Sequence, residues 1–155
     1  MESGAWHPWP DTYPIWIGGS LPASPDRAGR FFDGWLPIAP AADQWARLWN
    51  AVKQIARTAG RDANAVTGAM YLTVAIDEDP SRANERLNTY LEQYYGHPAA
   101  VMRSRQACYA GPNGGLPEWL QGYAQAGTTH LVLRFAGHHE RHLETVAVLR
   151  SKLAF

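Results

Sequence analysis

Apolar positions in this chain fall into short continuous runs that alternate with stretches repeating every three or four residues, the signature of strands followed by helices. Ile15 to Ile17, opened by Pro14 and stopped by Gly18 and Gly19, reads as a short buried parallel strand. Ser24-Pro25-Asp26 predicts a helix entry with Ser24 as N-cap and Pro25 at the first helical position. Ala28, Phe31 and Phe32 give that helix one apolar stripe, Asp33-Gly34 ends it, and a second strand begins at Trp35. From Ala42 to Ala59 the residues Trp45, Leu48, Trp49, Val52, Ile55 and Ala56 recur on one helical face, with Gly60 placed for a left-handed C-terminal cap. Met70 to Ile76 is apolar and β-rich enough for a covered strand, and Asp77-Glu78-Asp79-Pro80 breaks it. Asp79 caps the next helix, which carries Leu87, Tyr90, Leu91 and Tyr94 on one side and stops at Gly96.

His97-Pro98 starts a short helical piece reaching about Arg105, and 111–115, a Gly-Pro-Asn-Gly-Gly run, is a loop. Pro117 heads a helix with Trp119, Leu120 and Tyr123, Gly127 stops it, and Leu131 to Phe135 forms a fourth strand. A closing helix runs from about His139, with Leu143, Val146, Ala147 and Leu153 facing inward. Residues 1–13 hold Trp6, Pro8, Trp9 and Pro10 without periodicity and read as an irregular lead-in to one domain over 14–155. Four strand-then-helix steps specify an α/β fold with a parallel sheet.

Composition narrows the partners. Fourteen acidic and fourteen basic side chains balance over the 155 residues with no long run of either sign, which argues against a broad grip on nucleic acid. Tyr94, Tyr95, Trp45 and Trp49 sit at helical spacing, so they belong to packing and not to base stacking. Cys108 is the sole cysteine, which fits a reducing compartment and, without an identifiable base, a buried thiol. No apolar stretch approaches membrane-spanning length, and the expected location is cytoplasmic.

The segment GGSLPASPDRAGRFFDGWLP resembles the fifth and sixth strand unit of the luciferase-like monooxygenases, flavin- or deazaflavin-dependent TIM-barrel oxidoreductases. Ala59-Gly60-Arg61-Asp62, the strand at 70–76, and Ala126-Gly127 leading into His130-Leu131-Val132-Leu133-Arg134-Phe135 follow in the order that family uses. The resemblance covers residues 8 to 153 but only the second half of the usual barrel, and a complete eightfold barrel takes about 250 residues. It implies a parallel (β/α) half of a TIM barrel, about four strands with flanking helices, completed by dimerisation or by a partner chain. It also implies an oxidoreductase or monooxygenase component using FMN or coenzyme F420, with a non-catalytic flavin-binding or scaffold remnant as the alternative. The residues that act on substrate come from the family's first four strands. No catalytic residue is therefore carried over to this chain.

In a parallel barrel the ligand sits at the C-terminal ends of the strands. Gly18, Gly19 and Ser20 follow the first strand there. Two residues without Cβ let backbone amides approach an anion, and the serine hydroxyl adds a donor. Taken alone, the two glycines equally serve a tight turn; the resemblance makes the loop part of the flavin phosphate site. Arg134 lies one residue from the end of an apolar strand, on the Val132 face by alternation. It meets a phosphate or a carboxylate if that face is the barrel lumen, or forms an ion pair with Asp33 or Glu140. Trp35 lies near the ligand or in the core. His138, His139 and His142 share helical spacing but lack the order of a zinc motif, so they read as a solvated helix start.

Overall fold

A computed structural model of the chain describes residues 13–150. The elements run β1 (Trp16–Gly18), α1 (Ser24–Phe31), β2 (Gly34–Leu36), α2 (Ala42–Thr58), β3 (Thr67–Ile76), α3 (Pro80–Tyr95), α4 (Ala99–Arg103), β4 (Cys108–Gly111), α5 (Leu116–Gln125), β5 (His130–Phe135) and α6 (His139–Arg150). The expected lead-in at 1–13 and the inward Leu153 lie outside the described residues, Tyr13 excepted.

All strand pairs are parallel. β1, β2, β3 and β5 are the four staves of a half-barrel, with Ile17 opposite Trp35, Trp35 opposite Gly68, and Thr73 opposite Arg134. The expected four strands become five because β4 adds to the second half of β3, on the edge that β2 occupies along the first half. Four residues, Cys-Tyr-Ala-Gly, are too few to show alternation, so β4 was invisible to pattern. β3 itself starts three residues early because Gly68 and Ala69, both poor strand formers, separate Thr67 from the apolar run. Among the described residues β1 pairs only with β2 and β5 only with β3, leaving one unpaired edge on each. For that reason β1 is not the buried strand expected from its sequence. Trp16 and Ile17 are half-buried, and Ile15 is 60% exposed.

The two faces of β3 are both covered, which explains its continuous apolar run. Met70, Leu72, Val74 and Ile76 face a core built with Trp35, Trp45, Trp49, Val52, Leu116, Leu120 and Leu149, so α2, α5 and α6 lie on that side. Ala75 turns the other way, toward Leu87, Leu91, Ala99 and Met102 of α3 and α4. Trp35, the ambiguous residue, is core: it stacks on Trp45 at 5.0 Å, and Trp45 stacks on Trp49 at 5.6 Å. Gly34 is required at its position, since a Cβ there would come within 2.6 Å of the Trp16 ring. Arg61 secures the first strand–helix unit by donating to the carbonyls of Ala28, Gly29 and Phe32 at the C-terminal end of α1.

Helix ends follow the sequence in part. Asp79 caps α3 by accepting from the Ser81 amide at 2.9 Å, and Gly60, Gly96 and Gly127 all have positive φ. Ser24 is not a cap. It is the first helical residue and buried, while Ala23 occupies the N-cap with no side-chain bond. In α6 the inward residues are His142 and Leu149 with Val146 half-buried, whereas Leu143 is 62% exposed. The 3.6-residue stripe is displaced by one position because His142, not an aliphatic residue, points into the core.

Candidate functional site

The carboxyl ends of the staves are marked by Gly18, Leu36, Ile76 and Phe135. Beyond β1, Gly18, Gly19 and Ser20 are all exposed. Gly19 has φ 103°, a conformation that favours glycine, and a Cβ there would approach Ser24 Oγ at 3.1 Å. Its carbonyl accepts from Trp35 Nε1 at 3.1 Å. Ser20 Oγ accepts from the Ile38 and Ala39 amides at 3.3 and 3.2 Å. These bonds tie the β1–α1 loop to the β2–α2 loop and occupy the serine's acceptor side, leaving its hydroxyl proton to donate outward. At the start of α1, Ala23 supplies no side-chain cap, but the Ser24 amide donates to the Leu21 carbonyl at 2.9 Å, Pro25 has no amide, and Asp26 places a carboxylate in the first turn. The end of β1 thus presents exposed backbone at Gly18 and Gly19 beside the Ser20 hydroxyl.

Arg134 is not beside that rim. Its stave is separated from β1 by β2 and β3. It shares a face with its register partner Thr73, and on that face the guanidinium stacks over Tyr94 at 4.6 Å and Tyr90 at 5.6 Å. Neither expected ion-pair partner, Asp33 or Glu140, is paired with it. Asp33 instead accepts from the Ile15 amide at 2.8 Å and lies 3.8 Å from Arg61. The tyrosines come from α3, whose apolar stripe gave no sign of a role for them around a cation. Nor did the sequence single out Gln106, which is 4% exposed and accepts from Thr73 Oγ1 at 2.9 Å.

The end of β3 is held by charge. Asp77 accepts from the Asp79 amide at 3.0 Å, from Arg82 at 2.9 Å and from Arg86 at 3.0 Å. The Asp79 amide first, then Arg82 and Arg86, keep its carboxyl well below the ordinary carboxylate range. Arg86 also donates to the Ile76 carbonyl at 3.1 Å. A surface groove of about 490 Å³ lies over these residues with Tyr90 and Gly137 in its wall, but both arginines are already engaged.

His142 departs from the solvated helix start that its sequence suggested. It is 1% exposed and its Nε2 bonds the same Ile76 carbonyl at 3.1 Å, whereas His138 and His139 are exposed. Burial chiefly lowers its pKa from the ordinary 6.5, and Arg86, His138 and Arg141 add to the effect; the bond to Ile76 opposes it. A folded-state pKa below the unfolded one means that the stabilising contribution is complete above pH 6.5. It is lost as pH falls toward the folded value, with a slope of up to about 1.4 kcal/mol per pH unit. The expected result is a urea midpoint that drops between pH 7 and pH 5.5 more steeply in the native chain than in His142→Gln. Parallel pH profiles would contradict this. Cys108, on β4, is half-buried, and burial pushes its thiol up to about 11, so it stays protonated at neutral pH.

Among the described residues no helix is long and apolar enough to cross a membrane, and no group of three or more His, Cys, Asp or Glu side chains is placed to hold a metal ion.

Comparison with known proteins places this architecture. No curated protein matches the chain. Solved structures do. An F420-dependent secondary alcohol dehydrogenase, in complex with an F420-acetone adduct, superposes with TM-score 0.71 at 16% identity, covering 93% of this chain and 48% of that one. The coenzyme F420 dependent tetrahydromethanopterin reductase from Methanopyrus kandleri gives 0.63 at 17% identity, covering 86% and 48%. A riboflavin lyase, solved with modified FMN and riboflavin, gives 0.66 at 11% identity, covering 90% and 43%. The chain thus spans about half the length of these structures, and at such identities the likeness establishes the fold. The luciferase-like monooxygenase profile matches residues 2–153, nearly the whole sequence, and the chain belongs to that family.

Proposed function

We propose that this chain is a component of a luciferase-like oxidoreductase that holds the phosphate end of FMN or coenzyme F420 at the rim formed by Gly18, Gly19 and Ser20. The observation that carries the reading is the rim itself. Two exposed glycines and a serine hydroxyl whose acceptor side is already used lie together at the carboxyl end of β1. Parallel barrels place ligands at that end, and both cofactors present a phosphate to be bound. Arg134, three staves away and stacked on Tyr90 and Tyr94 of α3, is not placed to reach the same phosphate group. When bound, the cofactor supplies hydride transfer or oxygen activation; the protein supplies position and electrostatics.

Among the described residues the outer edges of β1 and β5 have no strand partner, as the ends of an unclosed barrel would not. Leu131, Leu133, Leu143 and Val146 line an apolar groove of about 570 Å³ beside β5. Further staves close the barrel along these edges, from a second copy or from a separate polypeptide, and complete the cofactor site. Fluorescence titration of FMN and of F420, run with sedimentation on the same samples, tests both parts. The expected outcome is saturable quenching by one of the two cofactors in a species heavier than the monomer. A soluble, stable monomer that quenches neither contradicts the reading.

A further inference from the structure

We propose that the inner face of the sheet, under α3, carries a binding site for a small organic carboxylate, with Arg134 Nε and Gln106 Nε2 as its hydrogen-bond donors. Both nitrogens are buried and lack a hydrogen-bond partner. They belong to residues on either side of Thr73: Arg134 is its register partner on β5, and Gln106, just before β4, accepts the Thr73 hydroxyl. The Tyr95 hydroxyl comes near the Gln106 amide without completing a hydrogen bond to it. Buried polar groups in folded proteins are nearly always paired, and two orphan donors flanking one residue call for a shared acceptor. The charge points the same way. No carboxylate lies within ion-pair distance of Arg134 among the described residues; its neighbours are Tyr90, whose hydroxyl lies near the guanidinium, and the ring of Tyr94.

Stacking on aromatic faces stabilises the guanidinium above and below its plane but supplies no acceptor in the plane, and Nε has none. A planar carboxylate answers that requirement, one oxygen toward Arg134 and the other toward Gln106, and the surrounding tyrosines suit an aromatic or short aliphatic body. A phosphate would bring a second charge and a tetrahedral head to a site with a single cation. Every residue named lies in β3, β5, α3 or the segment before β4, so the site is formed without the cofactor.

The test uses the native chain with sodium benzoate at constant ionic strength, sodium chloride serving as control, and no cofactor present. Heteronuclear NMR is expected to show saturable shifts of the Arg134 Nε–H and Gln106 side-chain resonances, with a Kd of about 1 mM. Arg134→Met, which keeps an apolar stem over the tyrosines, is expected to weaken the response at least about tenfold. Gln106→Glu places a carboxylate beside Arg134 permanently and is expected to abolish the benzoate response while the melting temperature holds or rises. Absence of any saturable shift in the native chain, an undiminished response in Arg134→Met, or a sharp fall in melting temperature for Gln106→Glu would each overturn the assignment. Because cofactor is absent throughout, failure here leaves the cofactor proposal standing, and failure of the cofactor titration leaves this one standing.

Discussion

Replacing Trp45 with alanine is expected to cost about 3–5 kcal/mol of stability, enough to leave the chain largely unfolded at 37 °C. Trp45 has no solvent exposure and is the middle member of a three-tryptophan stack, with Trp35 on one side and Trp49 on the other. Trp35 belongs to β2, and the other two to α2, so the stack is the joint between sheet and longest helix. Truncation removes the largest transfer contribution a side chain offers and two ring contacts worth about 0.5–1.5 kcal/mol each. It also opens a void bordered by the ring faces of two rigid neighbours that cannot collapse into it. The indole Nε1 of Trp45 makes no hydrogen bond, so deletion forfeits no polar interaction and the loss is one of packing. Urea denaturation followed by circular dichroism measures it. Trp45→Phe should recover part of the loss, and a Trp45→Ala chain within about 1 kcal/mol of native would show that the stack is not the joint described.

Gly18→Asp is expected to weaken cofactor binding by about 100-fold or more, close to 3 kcal/mol, with stability almost unchanged. The two effects separate because Gly18 is exposed, its φ lies outside the left-handed region, and a Cβ there meets only the Leu36 carbonyl at 3.6 Å. A carboxylate at this position sits on the rim beside the amides of Gly19 and Ser20, where it repels a phosphate and competes for its donors. Gly18→Ala separates charge from bulk and should retain most of the affinity. Fluorescence titration alongside urea denaturation reads both quantities. Equal affinity in the aspartate variant would place the phosphate elsewhere.

What the sequence makes legible follows from how many residues carry each signal. The helix at 42–59 is spelled out by six apolar positions and a terminal glycine, and its end at Thr58 with Gly60 in the left-handed region follows that pattern. The strand at Met70–Ile76 and the cap at Asp79 are equally plain, because a seven-residue apolar run and a side-chain bond two residues long are local features. β4 is four residues long and exists because β3 offers an edge to it, a tertiary cause that no local pattern records.

The site divides in the same way. Gly18, Gly19 and Ser20 announce themselves by composition and by position after a strand, and all three are exposed at the carboxyl end of β1. Arg134 was visible as a charge within an apolar strand, but its neighbours were not: Tyr90 and Tyr94 reach it across forty or more residues of chain. Gln106 carried no signal at all, since one glutamine between a helix and a loop has the appearance of a surface residue until burial is known. His142 reversed its reading for a related reason. The histidines at 138, 139 and 142 share spacing, and only packing against Ile76 and Phe135 decides which one turns inward.

The most direct measurement is a crystal structure of this chain grown with FMN or F420. The account predicts a phosphate within hydrogen-bond distance of the Ser20 hydroxyl and the backbone amides at Gly19 and Ser20, at the carboxyl end of β1. A phosphate bound at the amino ends of the strands, or along the outer face among α2, α5 and α6, would contradict it.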